Sequence, residues 1–164
     1  MLVIGIDCGL TGAIAAIDGA HEVAALHDLP VMVHGKTKWI DAETVIRLLR
    51  DARNGRPARA VIETTHAMPG MGSVASNLKG MTLGSTLAAL QVSGIPFDFV
   101  SPAKWKAALN LSMPKASDSE KKAASLSLAR QWFPGASLDR KKDHNRAEAL
   151  LIAAYFRRHV WGAG

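Results

Sequence analysis

Residues 2–18 read "LVIGIDCGLTGAIAAID". The apolar run from Leu2 to Asp7 has the length of one buried strand. Gly9, Thr11 and Gly12 then break it into a tight turn, and a second strand runs on to Asp18. Asp18-Gly19 marks the next turn and "EVAALHD", Glu22 to Asp28, supplies a third strand, so the chain opens as three antiparallel strands. Pro30 to Lys38 reads as a loop. From Asp41 the periodicity changes: Val45, Ile46, Leu48 and Leu49 recur at helical spacing until "NGRP", Asn54 to Pro57, stops the helix. "ARAVIE" is a short strand ending at Glu63, and a Gly/Met/Ser-rich loop, longer than a routine connection, follows from Thr64 to about Ser76. A helix over Asn77 to Val92 carries the small residues Gly80, Gly84, Ser85, Ala88 and Ala89, and "IPFDFV" is a fifth strand. "SPAKWKAALN" places a Pro in a first helical turn, Ser117 with Glu120 forms a capping box opening a helix to about Trp132, and "RAEALLIAAYFRRHV" is the last helix. The order βββ-α-β-α-β-α-α-α predicts an α/β fold on a five-stranded mixed sheet flanked by helices, three strands antiparallel and two joined by crossover helices. With 164 residues, no internal repeat and no linker-like stretch, residues 1–164 read as one domain.

Composition narrows the partners. A single cysteine, Cys8, excludes an intramolecular disulfide and a cysteine-rich zinc site, and favours a reducing compartment. No apolar run reaches membrane-spanning length and the N-terminus has no signal-peptide pattern, so no membrane partner is expected and the location expected is cytoplasmic, with an organellar matrix as the other choice. The formal net charge of +6 is unevenly spread. Residues 1–100 hold 8 Lys/Arg against 9 acids, whereas residues 101–164 hold 12 against 5. A basic C-terminal third points to a polyanionic partner.

Against that basic background a few acids stand at the ends of apolar elements. Asp7 leaves the first strand, Glu63 ends the fourth, and Asp143 and Glu148 lie at the start of the final helix. If the first and fourth strands are parallel neighbours, their C-terminal ends lie side by side and Asp7 and Glu63 can share one cation. Crowded carboxylates resist ionisation unless a metal or proton compensates, and oxygen-only ligation suits Mg²⁺ or Mn²⁺ acting on a phosphodiester. Each acid also has an ordinary use: Asp7 suits bonding of turn amides, Glu148 with Asn145 forms half a capping box, and Asp143 sits among Arg140, Lys141 and Lys142 as a solvated charge would.

Taken together, "GIDCGLTGAIA", "AVIE", "SPAKWKAAL" and "DHNRAEALLIAAY" resemble the RuvC family of Holliday-junction resolvases, within the RNase H-like nuclease superfamily, and more closely its short phage and organellar members. The resemblance implies an RNase H-like, RuvC-type sheet and a homodimer. It implies resolution of four-way junctions by symmetric nicking, with two Mg²⁺ or Mn²⁺ ions per subunit and no nucleotide cofactor. It implies Asp7, Glu63 and Glu148 as metal ligands, with Asp143 the fourth and His144 its competitor. Asp143 and Glu148 are separated by about 140° around a helix, so Asp143 reaches the metal only at or before the cap, where Asn145 would turn the chain in a left-handed conformation. Lys106 and Lys121 (or Lys122) are the cations implied near the scissile phosphate. His66, Met68 and Met71 in the Met/Gly loop are the residues placed at the junction centre, and Lys79, Lys104, Lys115, Lys122, Lys141, Lys142 and Arg146 are the further DNA contacts expected.

Competing readings are a DNA-binding relative with weak or no catalysis, and a nuclease acting on other branched DNA or on RNA. "GIDCGLTG" also resembles the phosphate-binding hairpin of actin-like kinases and ATPases, but that fold needs a second such domain for which 164 residues leave no room.

Overall fold

The computed structural model describes residues 1–19, 22–64, 70 and 72–161. Its sheet is built from β1 (Leu2–Asp7), β2 (Ala13–Asp18), β3 (Glu22–Asp28), β6 (Ala58–Glu63) and β7 (Phe97–Val100), in the spatial order β3-β2-β1-β6-β7. The pairs β1/β2 and β2/β3 are antiparallel, and β1/β6 and β6/β7 are parallel. This is the five-stranded mixed sheet that the order of elements predicts. The helices are α1 (Ala42–Arg53), α2 (Ser73–Val92), α3 (Pro102–Ala108), α4 (Asp118–Trp132) and α5 (His144–Phe156).

Because β1 is central, it is apolar without interruption: a strand covered on both faces has no polar side to show. Leu2, Ile4 and Ile6 pack with Ala60 and Ile62 into a core that includes Val45 and Leu49 of α1 and Ala89 and Leu90 of α2. Val3 of β1 and Val61 of β6 face the opposite way, into a core shared with Trp105 of α3, Leu126 of α4 and most of α5. The two-residue period then decides where the acids go, since Asp7 follows Val3 and Gly5 onto the α5 face, as Glu63 follows Val61. Gly5 is required there. A Cβ on it would stand 2.1 Å from the carbonyl oxygen of Ala149, so its absence lets α5 lie directly on β1. α5 itself is buried from Ala149 to Phe156, as expected of a helix apolar on all sides.

Three sequence expectations are corrected. Pro30 to Lys38 is not a simple loop: β4 (Val31–His34) and β5 (Thr37–Ile40) form an antiparallel hairpin outside the main sheet, closed by the two-residue turn Gly35-Lys36 with Gly35 at φ +59°. Pro30 precedes β4 and Gly35 opens the turn; Val31 and Val33 are exposed and pair across to Ile40 and Lys38, and only Ile40, at the end of β5, reaches the core. α2 begins at Ser73, before Asn77, because Ser and Ala extend the helix as readily as the apolar residues behind them. α5 begins at His144, so Asn145 is helical and turns nothing; a 3₁₀ turn, Lys141–Asp143, leads into it and Asp143 is its N-cap residue.

Candidate active site

Asp7 and Glu63 end neighbouring parallel strands on the face that α5 covers, and Glu148 comes from the second turn of α5. One carboxylate oxygen from each lies within 4.8 Å of the others. The strand ends bring the first two acids, and the close seat of Ala149 on Gly5 brings the third.

Two consecutive residues of α3 hold this group. The buried indole N–H of Trp105 donates to Oε1 of Glu63 at 2.8 Å. The ammonium of Lys106 lies 2.9 Å from Oε1 of Glu148 and 5.0 Å from the centre of the Trp105 ring. Ser125 of α4 donates its hydroxyl to the same Glu148 oxygen at 3.2 Å. Ser101 caps α3 through its hydroxyl, and Pro102 occupies the first turn, which fixes where Trp105 and Lys106 emerge.

Asp7 carries the electrostatic stress. Burial, and then the charges of Glu148 and Glu63, push its carboxyl up to about 8, although Lys106 pulls the other way. Burial also raises Glu63, partly offset by the Trp105 hydrogen bond. Three acids that cannot all ionise comfortably, with oxygen the only donor atom offered, form a set that fits a hard divalent cation.

Asp143 does not join them. It is 2% exposed, and Arg140 engages both its oxygens: the guanidinium meets Oδ1 at 2.6 Å and the backbone N–H donates to Oδ2 at 2.8 Å. Burial pushes the Asp143 carboxyl up, but Arg140 outweighs it and holds the group below the usual carboxylate range. His144 and Asn145 open α5, and the Asn145 amide donates to the carbonyl of Thr11, tying α5 to the turn that follows Asp7.

The expected cations divide into groups. Lys106 and Lys121 line one groove with Ser125, with a volume of about 170 Å³. Lys122, Lys142 and His144 line a second cleft of about 490 Å³ that reaches Thr11 and Val31, and Lys141 joins Lys122, Lys142 and His144 in an adjoining hollow. Lys79, Lys104 and Lys115 are exposed on the surface. The Arg146 guanidinium is turned to Asp28. His66, Met68 and Met71 lie outside the described residues.

Sequence reasoning missed Trp105 and Ser125. Trp105 lies within the "SPAKWKAAL" motif, whose informative residues are its Pro and Lys, and Ser125 lies mid-helix with no motif; only the packing of α3 and α4 against the strand ends assigns them partners. Gly5 did carry a signal, since a glycine in mid-strand marks a close backbone approach.

No established protein-family profile matches the chain. Over 96 residues, 57% of this chain, it is 38% identical to a chloroplastic Holliday junction resolvase of Chlamydomonas reinhardtii; the match spans about a tenth of that protein's length. The whole fold superposes on solved structures. Thermus thermophilus RuvC in complex with a Holliday junction substrate aligns over 99% of this chain and 96% of its own, with a TM-score of 0.68 and 21% identity. A second Thermus thermophilus RuvC structure aligns over 96% of each chain, with a TM-score of 0.60 and 23% identity. The yeast mitochondrial Holliday junction resolvase aligns over 98% of this chain and 78% of its own, with a TM-score of 0.51 and 19% identity. The fold is the RNase H-like, RuvC-type arrangement.

Proposed function

We propose that this chain is a structure-selective endonuclease that cuts four-way DNA junctions by metal-dependent phosphodiester hydrolysis. The observation that carries the proposal is the convergence of Asp7, Glu63 and Glu148 beside Lys106, on a basic chain with the fold of a junction-bound resolvase. Asp7, Glu63 and Glu148 hold the cation, Mg²⁺ or Mn²⁺ by the chemistry of the donor set. When bound, such ions lower the pKa of water and neutralise charge on a phosphoryl group. We leave Asp143 out of the ligand set, because its oxygens are already committed to Arg140.

The protein's own part is orientation and charge. Trp105 holds Glu63 through Oε1. Lys106 and Ser125 do the same for Glu148. Lys106, at the mouth of the groove it shares with Lys121, supplies a fixed ammonium to offset charge building on phosphoryl oxygens. Cutting two opposing strands symmetrically calls for two copies related by a two-fold axis. The outer face of α2 suits that contact: Val74, Met81 and Val92 are exposed along it, and open space lies over Gly80 and Gly84.

A gel that follows binding and nicking of a four-way junction, a duplex and a flap, in Mg²⁺, Mn²⁺ or chelator, tests the proposal. Wild-type protein should nick opposing strands of the junction with either metal and not in chelator, whereas Asp7→Asn should bind and not cut. Unchanged cleavage by that variant overturns the active-site assignment.

A further inference from the structure

The β4–β5 hairpin has no role in the site described above, yet its composition is unusual for a solvent-exposed element. Every residue from Val31 to Lys38 is exposed, including Val31, Met32 (47%) and Val33 (61%). Residues 31–40, "VMVHGKTKWI", contain no acid and carry His34, Lys36 and Lys38. Its base is firmly set. Leu29 and Ile40 are buried, the Leu29 N–H donates to the carbonyl of Gly12, and Asp41 N–H closes the base on Pro30. Gly12 belongs to the turn that follows Asp7, and Val31 lines the same 490 Å³ cleft as Lys122, Arg140 and Lys142. The ribbon therefore rises from the rim of a basic cleft next to the acidic site.

We propose that the β4–β5 hairpin is a nucleic-acid contact arm, in which Val33, more exposed than Met32, lies against base edges, Met32 takes the opposite face of β4, and Lys36 and Lys38 pair with backbone phosphates. This rests on the junction-binding reading above. A two-stranded ribbon four residues long extends about 13 Å, and the major groove of B-DNA, roughly 12 Å wide, admits such a ribbon. Apolar side chains of this kind also fill opened base steps. The charge pattern chooses the occupant. In a two-fold contact between two copies, the same hairpin would set Lys36 and Lys38 against themselves, whereas α2 offers the exposed apolar side chains of Val74 and Met81 for such a contact.

Equilibrium binding of the intact chain to a four-way junction, in chelator and across a salt series, tests the arm. Lys36→Ala/Lys38→Ala should lower the slope of log affinity against log salt by about 2, one phosphate for each lysine. Val33→Ser should weaken binding about tenfold with the slope unchanged, as expected when one apolar contact is lost. Affinity and slope that stay at wild-type values in both variants overturn the arm while leaving the nuclease reading intact. If the variants instead change the sedimentation of the free protein and not its DNA binding, the hairpin is a self-association surface and the proposal fails. Wild-type protein that binds neither junction nor duplex overturns the arm and the nuclease reading together.

Discussion

The indole N–H of Trp105 donates a 2.8 Å hydrogen bond to Oε1 of Glu63, joining α3 to the end of β6 across 42 residues of sequence. The adjacent residue, Lys106, pairs with Glu148 of α5. One short helix thus positions two of the three converging acids, Glu63 and Glu148, each through its Oε1.

Trp105→Phe keeps the ring packing and removes only the donor. Glu63 then loses the hydrogen bond to its Oε1, and its carboxyl, already raised by burial, rises further. Hydrogen bonds to charged groups contribute about 1.5–3 kcal/mol, so Mn²⁺ affinity measured by calorimetry at neutral pH should fall about 10- to 100-fold, and less at higher pH. Affinity equal to wild type at every pH means that Trp105 only fills space.

The Asp7 carboxyl is raised from its ordinary 3.8 to about 8. Between those values the folded state holds a proton that the unfolded state has released, so this group's contribution to stability falls as pH rises from about 4 to about 8. Melting of the metal-free protein across that range should show the decline. Mg²⁺ should reverse it increasingly toward pH 8, because the cation replaces the proton. Asp7→Asn should flatten the metal-free profile and remove the Mg²⁺ effect; a profile in the variant as steep as in the wild type assigns the titration elsewhere.

Asp143 has the opposite sign. Arg140 holds its pKa down, so its contribution is full above the ordinary carboxylate range and is lost as pH falls below it. Arg140→Ala strands a carboxylate that is 2% exposed. The guanidinium is itself half-exposed, which places the cost at the low end of that for broken buried pairs, about 3 kcal/mol in chemical denaturation. Adding Asp143→Asn should recover most of the loss and leave Mn²⁺ affinity intact. Lost metal binding in that double variant would restore Asp143 to the ligand set.

Gly5→Ala forces a methyl group to within 2.1 Å of the Ala149 carbonyl and 2.7 Å of the Ala153 nitrogen. Both are backbone atoms of α5, so the helix itself must move. The expected cost is about 3 kcal/mol, toward the upper end for overpacking, accompanied by weaker Mn²⁺ binding because Glu148 shifts with its neighbour. A variant as stable as the wild type places α5 farther from β1.

Much of the site is legible along the chain. Asp7 and Glu63 each end an unbroken apolar strand, and Glu148 stands one turn inside an almost wholly apolar helix. Carboxylates so placed must find compensation where buried elements end. The hairpin was hidden for the opposite reason: β4 is exposed along its whole length and β5 reaches the core only at Ile40, so Pro30 and Gly35 read as loop signals with no burial pattern to outweigh them.

Periodicity and turn chemistry, which are local, determine the strands, the order of the helices and the face on which each acid emerges. Asp143 shows where that ends, since it is as acidic and as well placed in sequence as Glu148. Only the tertiary structure decides that Glu148 meets Asp7 and Glu63 while Asp143 is claimed by Arg140, and that Trp105 fixes Glu63. Those outcomes depend on how closely α5 and α3 sit against the sheet. That distance is set by contacts such as Gly5 against Ala149, between residues 144 positions apart in sequence, which no local pattern encodes.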